Sequence, residues 1–276
     1  MLSKAFGTLL ALAIVPAIAQ VPNAPTPQDS PIIAPRQHAP RRPYTGVAPF
    51  VRGNVTVEDS TNWSGYAVTG SSFTSSKASW VVPTVTCSKT PNTYAAFWTG
   101  LDGWTSDTVE QTGTDSDCDG TTPSYYAWYE FYPNPSYLIS SVKVAPGDKM
   151  SASVTYSGSE FTITITNETT GKSYSKSAKV SGAKRSSAEW IAEAPCCTNS
   201  GGILPLSDFG TVDFGQDHTD VTSTNYATDS SVTGPISDFG TDVYESVMVS
   251  SKGADEAVPS GLSTDGSSFT VKWDSE

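Results

Sequence analysis

Two stretches of the chain place acids where a strand would bring them to one face. The run 125–132 (YYAWYEFY) is the first. Side chains alternate between the two faces of a strand, so Tyr126, Trp128, Glu130 and Tyr132 share one face. Tyr125, Ala127, Tyr129 and Phe131 share the other. A carboxyl among aromatic rings must be paired, hydrogen-bonded or shifted in pKa. For Glu130 alone, a structural glutamate bonded to a tyrosine hydroxyl is an equal reading. The second stretch is 188–195 (AEWIAEAP), which as a strand puts Glu189, Ile191 and Glu193 on one face. Two acids beside an isoleucine read as a polar groove. A third stretch, Trp98 to Gly103 followed by 108–113 (TVEQTG), carries glycines that let backbone or substrate approach closely. One carboxylate can take a proton from water and later protonate a leaving nitrogen, so the chemistry in view is hydrolysis. Alternation alone leaves Glu130, Glu189 and Glu193 all eligible.

Other hydrolase machinery is sparse. His38 and His218 are the only histidines. His38 falls in a proline-rich segment, so a Ser-His-Asp triad would need His218, and no Gly-x-Ser-x-Gly turn accompanies it. The zinc-helix and phosphate-loop motifs are missing, and with so little histidine no metal site or cofactor is expected.

The elements that must position these residues are strands. Twelve tyrosines, seven tryptophans and heavy Ser/Thr usage favour strands and turns. Short patterns follow one another: 77–85, 161–166, 173–180 and 267–273. No amphipathic helix interrupts them, which points to an antiparallel β-sandwich. Residues 1–19 carry a basic start, an apolar run and Ala17-Ile18-Ala19, the pattern of a signal peptide. No later run approaches the ~20 apolar residues of a spanning helix. A secreted, extracellular protein without a membrane partner is expected. Residues 20–53 are rich in proline and read as a basic propeptide or linker, with 54–276 the folded domain. The formal charge is −12. Residues 1–57 hold Lys4, Arg36, Arg41, Arg42 and Arg52 against Asp29 alone, a net +4, which leaves −16 for the rest. Such a domain would repel nucleic acid, and it would hold a basic segment against itself. Its low content of basic groups fits an acidic working environment. Among Cys87, Cys118, Cys196 and Cys197, the expected disulfide is Cys87–Cys118, because neighbours would close a strained ring.

Six blocks, in order, carry a resemblance: Asn62-Trp63-Ser64-Gly65-Tyr66, Ser79-Trp80-Val81-Val82-Pro83, Phe97-Trp98-Thr99-Gly100-Leu101-Asp102-Gly103, Glu110-Gln111-Thr112-Gly113, Tyr126-Ala127-Trp128-Tyr129-Glu130 and Ala188-Glu189-Trp190-Ile191-Ala192-Glu193. Together they resemble the glutamic peptidases, the eqolisin family of secreted acid endopeptidases. The resemblance implies a concanavalin-like sandwich of two large bent sheets with a substrate groove on one face. It implies Gln111 and Glu193 as the catalytic pair. Trp63, Trp98, Asp102, Glu130 and Tyr126 fall on positions the family places around the site. Some fungal relatives have an aspartate where Tyr126 stands, which implies a missing supporting carboxylate here. The assigned roles are Glu193 as base then acid, and Gln111 as holder of the water and donor to the oxyanion. Hydrogen bonds from Gln111 are expected to keep Glu193 ionised in acid. The partners are protein or peptide substrates and the chain's own propeptide, with a monomeric enzyme. The competing reading is a β-sandwich glycoside hydrolase using Glu130 and Glu193, or a carbohydrate-binding module.

Overall fold

The computed structural model describes residues 32–197 and 202–275. The expected leader, and residues 20–31 of the proline-rich segment, lie outside the described residues.

Nearly all of the regular structure among the described residues is strand, arranged as a β-sandwich. In the first sheet the hydrogen-bonded order is Phe50–Arg52, Val55–Ser60, Val243–Val249, Trp63–Thr69, Ser187–Glu193, Ala96–Leu101, Val109–Asp119, Thr122–Tyr132, Tyr137–Leu138 and Ile32–Ile33. Every pair is antiparallel except Val55–Ser60 with Val243–Val249, which run parallel. The second sheet runs Lys172–Ala178, Glu160–Asn167, Lys149–Ser157, Ser75–Val81, Thr211–Phe214, Phe269–Trp273 and Asp255–Pro259. Asp255–Pro259 also pairs with Val243–Val249 across an irregular register, and this joins the two sheets. The only α-helix among the described residues is the single turn Gln216–Thr219.

The alternation read from the sequence decides which face of each strand meets the interior. Tyr66, Phe97, Leu101, Ala127, Tyr129, Phe131, Ala188, Trp190 and Ala192 of the first sheet pack toward Trp80, Val154, Ile163, Phe214 and Phe269 of the second. Trp80 Nε1 donates to Thr114 Oγ1 at 2.9 Å, so its indole is buried without an orphaned donor. Cys87 and Cys118 are bonded, as the sequence predicts, and Cys196 and Cys197 are bonded to each other, leaving no free cysteine among the described residues.

The other face of the first sheet has its own smaller apolar cluster: Trp63, Ala67, Ala96, Trp98, Trp104, Val109, Trp128 and Ile191. Ala34, from the proline-rich segment, packs into it.

Candidate active site

The strand register sorts this second face into rows. Glu193 lies opposite Trp63 and Ala96, and Ala96 lies opposite Asp115, which faces Tyr126. Ile191, Trp98, Gly113 and Trp128 form the next row. Glu189, Gly100, Gln111 and Glu130 form the third. Gln111, Glu130, Glu189 and Glu193 therefore share one face; alternation pairs Glu189 with Glu193, and the register adds Glu130 and Gln111. Gly113 is required in the middle row. A Cβ there would lie 2.3 Å from the Phe97 carbonyl oxygen and 2.5 Å from Trp98 Cβ. Its absence lets the Trp98 indole lie across the sheet, edge-on to Trp63 with ring centroids 4.9 Å apart. From there Trp98 Nε1 donates to Glu193 Oε2 at 2.8 Å. Glu193 Oε1 and Gln111 Oε1 are buried without a hydrogen-bond partner among the described residues.

The proline-rich segment crosses this face. Ala34 N donates to Ser136 O, Gln37 and Cys196 exchange both backbone bonds, and Arg41 N donates to Gly103 O. His38 is fully buried, its ring stacked on Trp128 at 3.5 Å and nearly parallel. His38 N donates to Glu130 Oε2 at 3.0 Å, and His38 Nε2 lies 3.1 Å from Asp115 Oδ1. Gln111 Nε2 donates to the His38 carbonyl oxygen at 2.7 Å and to Glu130 Oε2 at 2.9 Å. Trp63 Nε1 donates to the Ala39 carbonyl at 3.2 Å. The segment's cations find acids along the way. Arg36 Nε lies 3.9 Å from Asp117, and Arg41 pairs with Glu58 at 2.7 Å while its guanidinium covers the Trp104 ring. Arg52 pairs with Glu245.

These contacts set the protonation states. Burial alone would push the His38 imidazole down, but the Asp115 charge and hydrogen bond, with Glu130, outweigh it and raise the group to about 10. Burial pushes Glu193 well up, offset in part by the His38 charge and the Trp98 N–H and reinforced by the Glu130 charge. Burial also raises Glu130, against its bonds from His38 and Gln111. The expectation that Gln111 keeps Glu193 low is corrected here. The Gln111 amide is committed to His38 O and Glu130, and Trp98 is the donor on Glu193.

Two supporting assignments change character. Asp102 accepts from the backbone N–H of Lys184, Arg185 and Ser186 at 2.7–2.9 Å, and from the hydroxyls of Ser186 and Ser106. It ties the loop before Ser187–Glu193 to the sheet. Tyr126 does not leave the site short of carboxylates. Its hydroxyl donates to Asp115 Oδ2 at 2.7 Å and Asp117 Oδ2 at 3.1 Å, so the neighbouring strand supplies them. Asp115, Asp117 and His38 were not expected at the site. For the two aspartates the signal lay in Val109–Asp119, where Gln111, Asp115 and Asp117 recur on one face. His218 sits half-buried on the far sheet, 3.9 Å from Asp213.

The profile of the Peptidase A4 family matches residues 61–256, which contain Gln111, Glu130 and Glu193. The chain belongs to the Peptidase A4 family. It is similar to aspergillopepsin-2 of Aspergillus niger, with 30% identity over 187 residues covering 59% of this chain and 66% of that protein. It is similar to scytalidopepsin B of Scytalidium lignicola, with 37% identity over 174 residues, 59% of this chain and 64% of that protein. The chain thus spans about two thirds of the length of these relatives. Among solved structures it resembles scytalido-glutamic peptidase crystallised with a transition state analog inhibitor. That match has a TM-score of 0.64 and 28% identity, and covers 78% of this chain and 98% of the other. The matched segment 61–256 holds most, though not all, of the strands of both sheets.

Proposed function

We propose that this A4 protein is a secreted endopeptidase that works in acid by direct attack of water, with Glu193 and Gln111 as its catalytic pair. One observation carries the reading: an extended polypeptide fits the groove, and the Gln111 amide donates to one of its carbonyl oxygens. An amide so aimed is positioned to stabilise the oxyanion that forms when water adds to that carbonyl. Glu193, on the same face, takes the water proton and returns it to the departing nitrogen. Trp98 orients the carboxyl through Oε2 and leaves Oε1 for the water. Glu193 must be ionised to begin. The segment over it contributes to the burial that raises its pKa, so a vacated groove returns it toward the ordinary carboxyl range, where it ionises in acid.

The 20–53 segment is then a propeptide. It brings Arg36, His38, Arg41 and Arg52 to four separate acidic positions and covers the pair. The test is casein digestion at acid pH by the processed protein. Wild type should digest it, and Glu193→Gln and Gln111→Ala should each abolish digestion while leaving the circular dichroism spectrum unchanged. Digestion that survives either substitution rules the mechanism out. N-terminal sequencing of the active form should find residues 20–38 removed; a fully active protein starting at Gln20 rules the propeptide out.

A further inference from the structure

Resting on that reading, we infer that the His38–Ala39 peptide bond is the first bond this enzyme cuts in its own chain, and that Asp115, Glu130 and Trp128 form the subsite that selects a cationic side chain before the scissile bond. The segment does not merely lie across the groove as a lid would. Its backbone is bonded on both sides of His38: Gln37 to Cys196 before it, Trp63 Nε1 to the Ala39 carbonyl after it, and Arg41 to Gly103 further on. Of all its carbonyls, the one on the Gln111 amide is that of His38. The donor proposed for the oxyanion therefore already marks one carbonyl carbon. Water adding there places its oxygen on the His38 carbon. The C–N bond to Ala39 breaks, and the water proton passes through Glu193 to the Ala39 nitrogen. The products are a chain ending in the His38 carboxylate and a chain beginning with the Ala39 amine.

The pocket under His38 is built for a flat cation. The ring is sandwiched on Trp128 at 3.5 Å, with Asp115 Oδ1 3.1 Å from Nε2 and Glu130 Oε2 3.5 Å from Nδ1. Tyr126 holds Asp115 from the other side through Oδ2. An aromatic floor with two carboxylates at its rim attracts an imidazolium or guanidinium and repels a carboxylate. Asp115 lies four residues after Gln111 on the same strand and two strands from Glu193, with Ala96–Leu101 between, so the selecting charge shares the face of the pair without belonging to it.

The test uses the purified full chain, incubated in acid and sampled by intact-mass spectrometry and N-terminal sequencing. The earliest new terminus should be Ala39, with a matching fragment ending in His38. Glu193→Gln should leave that bond intact. His38→Asp should slow the first cut about 30-fold or more, since one partner of a buried ion pair is reversed, and His38→Arg should largely preserve it. In parallel, the synthetic peptide IAPRQHAPRRP is given to processed enzyme and should be cut between His and Ala. A wild-type protein that digests casein but leaves His38–Ala39 intact, or cuts first elsewhere, overturns this inference and leaves the peptidase reading standing. A protein that digests neither overturns the peptidase reading, and this inference with it.

Discussion

Two groups of buried acids share the first sheet and differ in what surrounds them. Around Asp102 sit Glu110 and Glu189; around Glu193 sit Glu130 and Asp115. Asp102 accepts five hydrogen bonds, three of them from consecutive backbone N–H groups. Its two companions are both shifted toward the protonated form. Burial and the Asp102 charge push Glu110 up to about 9, and burial raises Glu189 well above the usual range. Asp102 is satisfied by its own domain, while the carboxyl oxygens of Glu110 and Glu189 have no hydrogen-bond partner among the described residues. In the other, Glu193 has one indole N–H on one oxygen and no partner on the other, and its companions spend their lone pairs on a segment that gives the first sheet only its two edge strands, Ile32–Ile33 and Phe50–Arg52. Burial and perturbed pKa are common to both groups, so neither picks out the site. Orphaned carboxyl oxygens occur in both groups too, so the distinction lies in what covers the acids: the domain's own loop at 184–186 in one, the proline-rich segment in the other.

The most direct way to break this distinction is to exchange amide for acid in each group. Glu193→Gln should lower kcat/KM on a peptide substrate by about 10²–10⁴-fold through loss of the base. Glu189→Gln, four residues earlier on the same face, should leave kcat/KM within a few-fold of wild type. Comparable losses in the two variants would mean that cover by the proline-rich segment does not separate working acids from structural ones. Gln111→Ala removes the donor to the oxyanion and should cost on the order of 10²–10³-fold in kcat. Its KM should move little, because the donor is aimed at charge that develops only in the transition state.

The next expectation concerns stability rather than rate. Asp102→Ala strands the N–H groups of residues 184–186 in a partly buried loop. The loss should be about 3 kcal/mol, because each unsatisfied donor carries its own desolvation penalty. In a domain of this size that lowers Tm by roughly 6–12 °C. Thermal unfolding followed by circular dichroism reads it. A variant that keeps its Tm but loses kcat would move Asp102 from a loop tie into the chemistry.

Much of this was legible in the sequence, and the division is physical. Alternation places Tyr126, Trp128, Glu130, Glu189 and Glu193 on the correct faces, because a period of two is fixed by strand geometry. The family likeness supplied Gln111, an uncharged residue that no charge pattern marks. The role of Asp102 was not legible, since its donors come from residues about eighty positions away along the chain. Neither was His38. Its segment has no periodicity and no capacity to form a core, so sequence rules assign it to a linker; its order comes from the acids, aromatic rings and backbone groups it meets. Tyr126 was read as a lost carboxylate, yet the pairing of Asp115 with Tyr126 restores one from the adjacent strand.

The smallest expected effect sharpens the comparison by separating the two groups in one titration. Glu110 holds its proton up to about pH 9 in the fold and releases it near 4.5 when unfolded. Between those values the native state binds more protons, so stability falls as pH rises. Asp117, raised to about 8 by burial and by Asp115, acts in the same direction. His38, raised to about 10, stabilises fully below 6.5 and loses its contribution as pH climbs from there toward 10. The full chain should therefore be most stable in acid, with Tm lower by on the order of 5 °C at pH 8 than at pH 5. Removing the segment up to His38 takes the imidazole away and opens Asp117, Glu130 and Glu193 to water, while Glu110 and Glu189 stay enclosed with Asp102. The processed protein should keep the Glu110 and Glu189 part of the slope and lose the parts that come from His38 and Asp117. Differential scanning calorimetry of both forms across this range checks it. Identical slopes would place the pH-sensitive groups with Asp102 alone and remove the electrostatic hold assigned to His38.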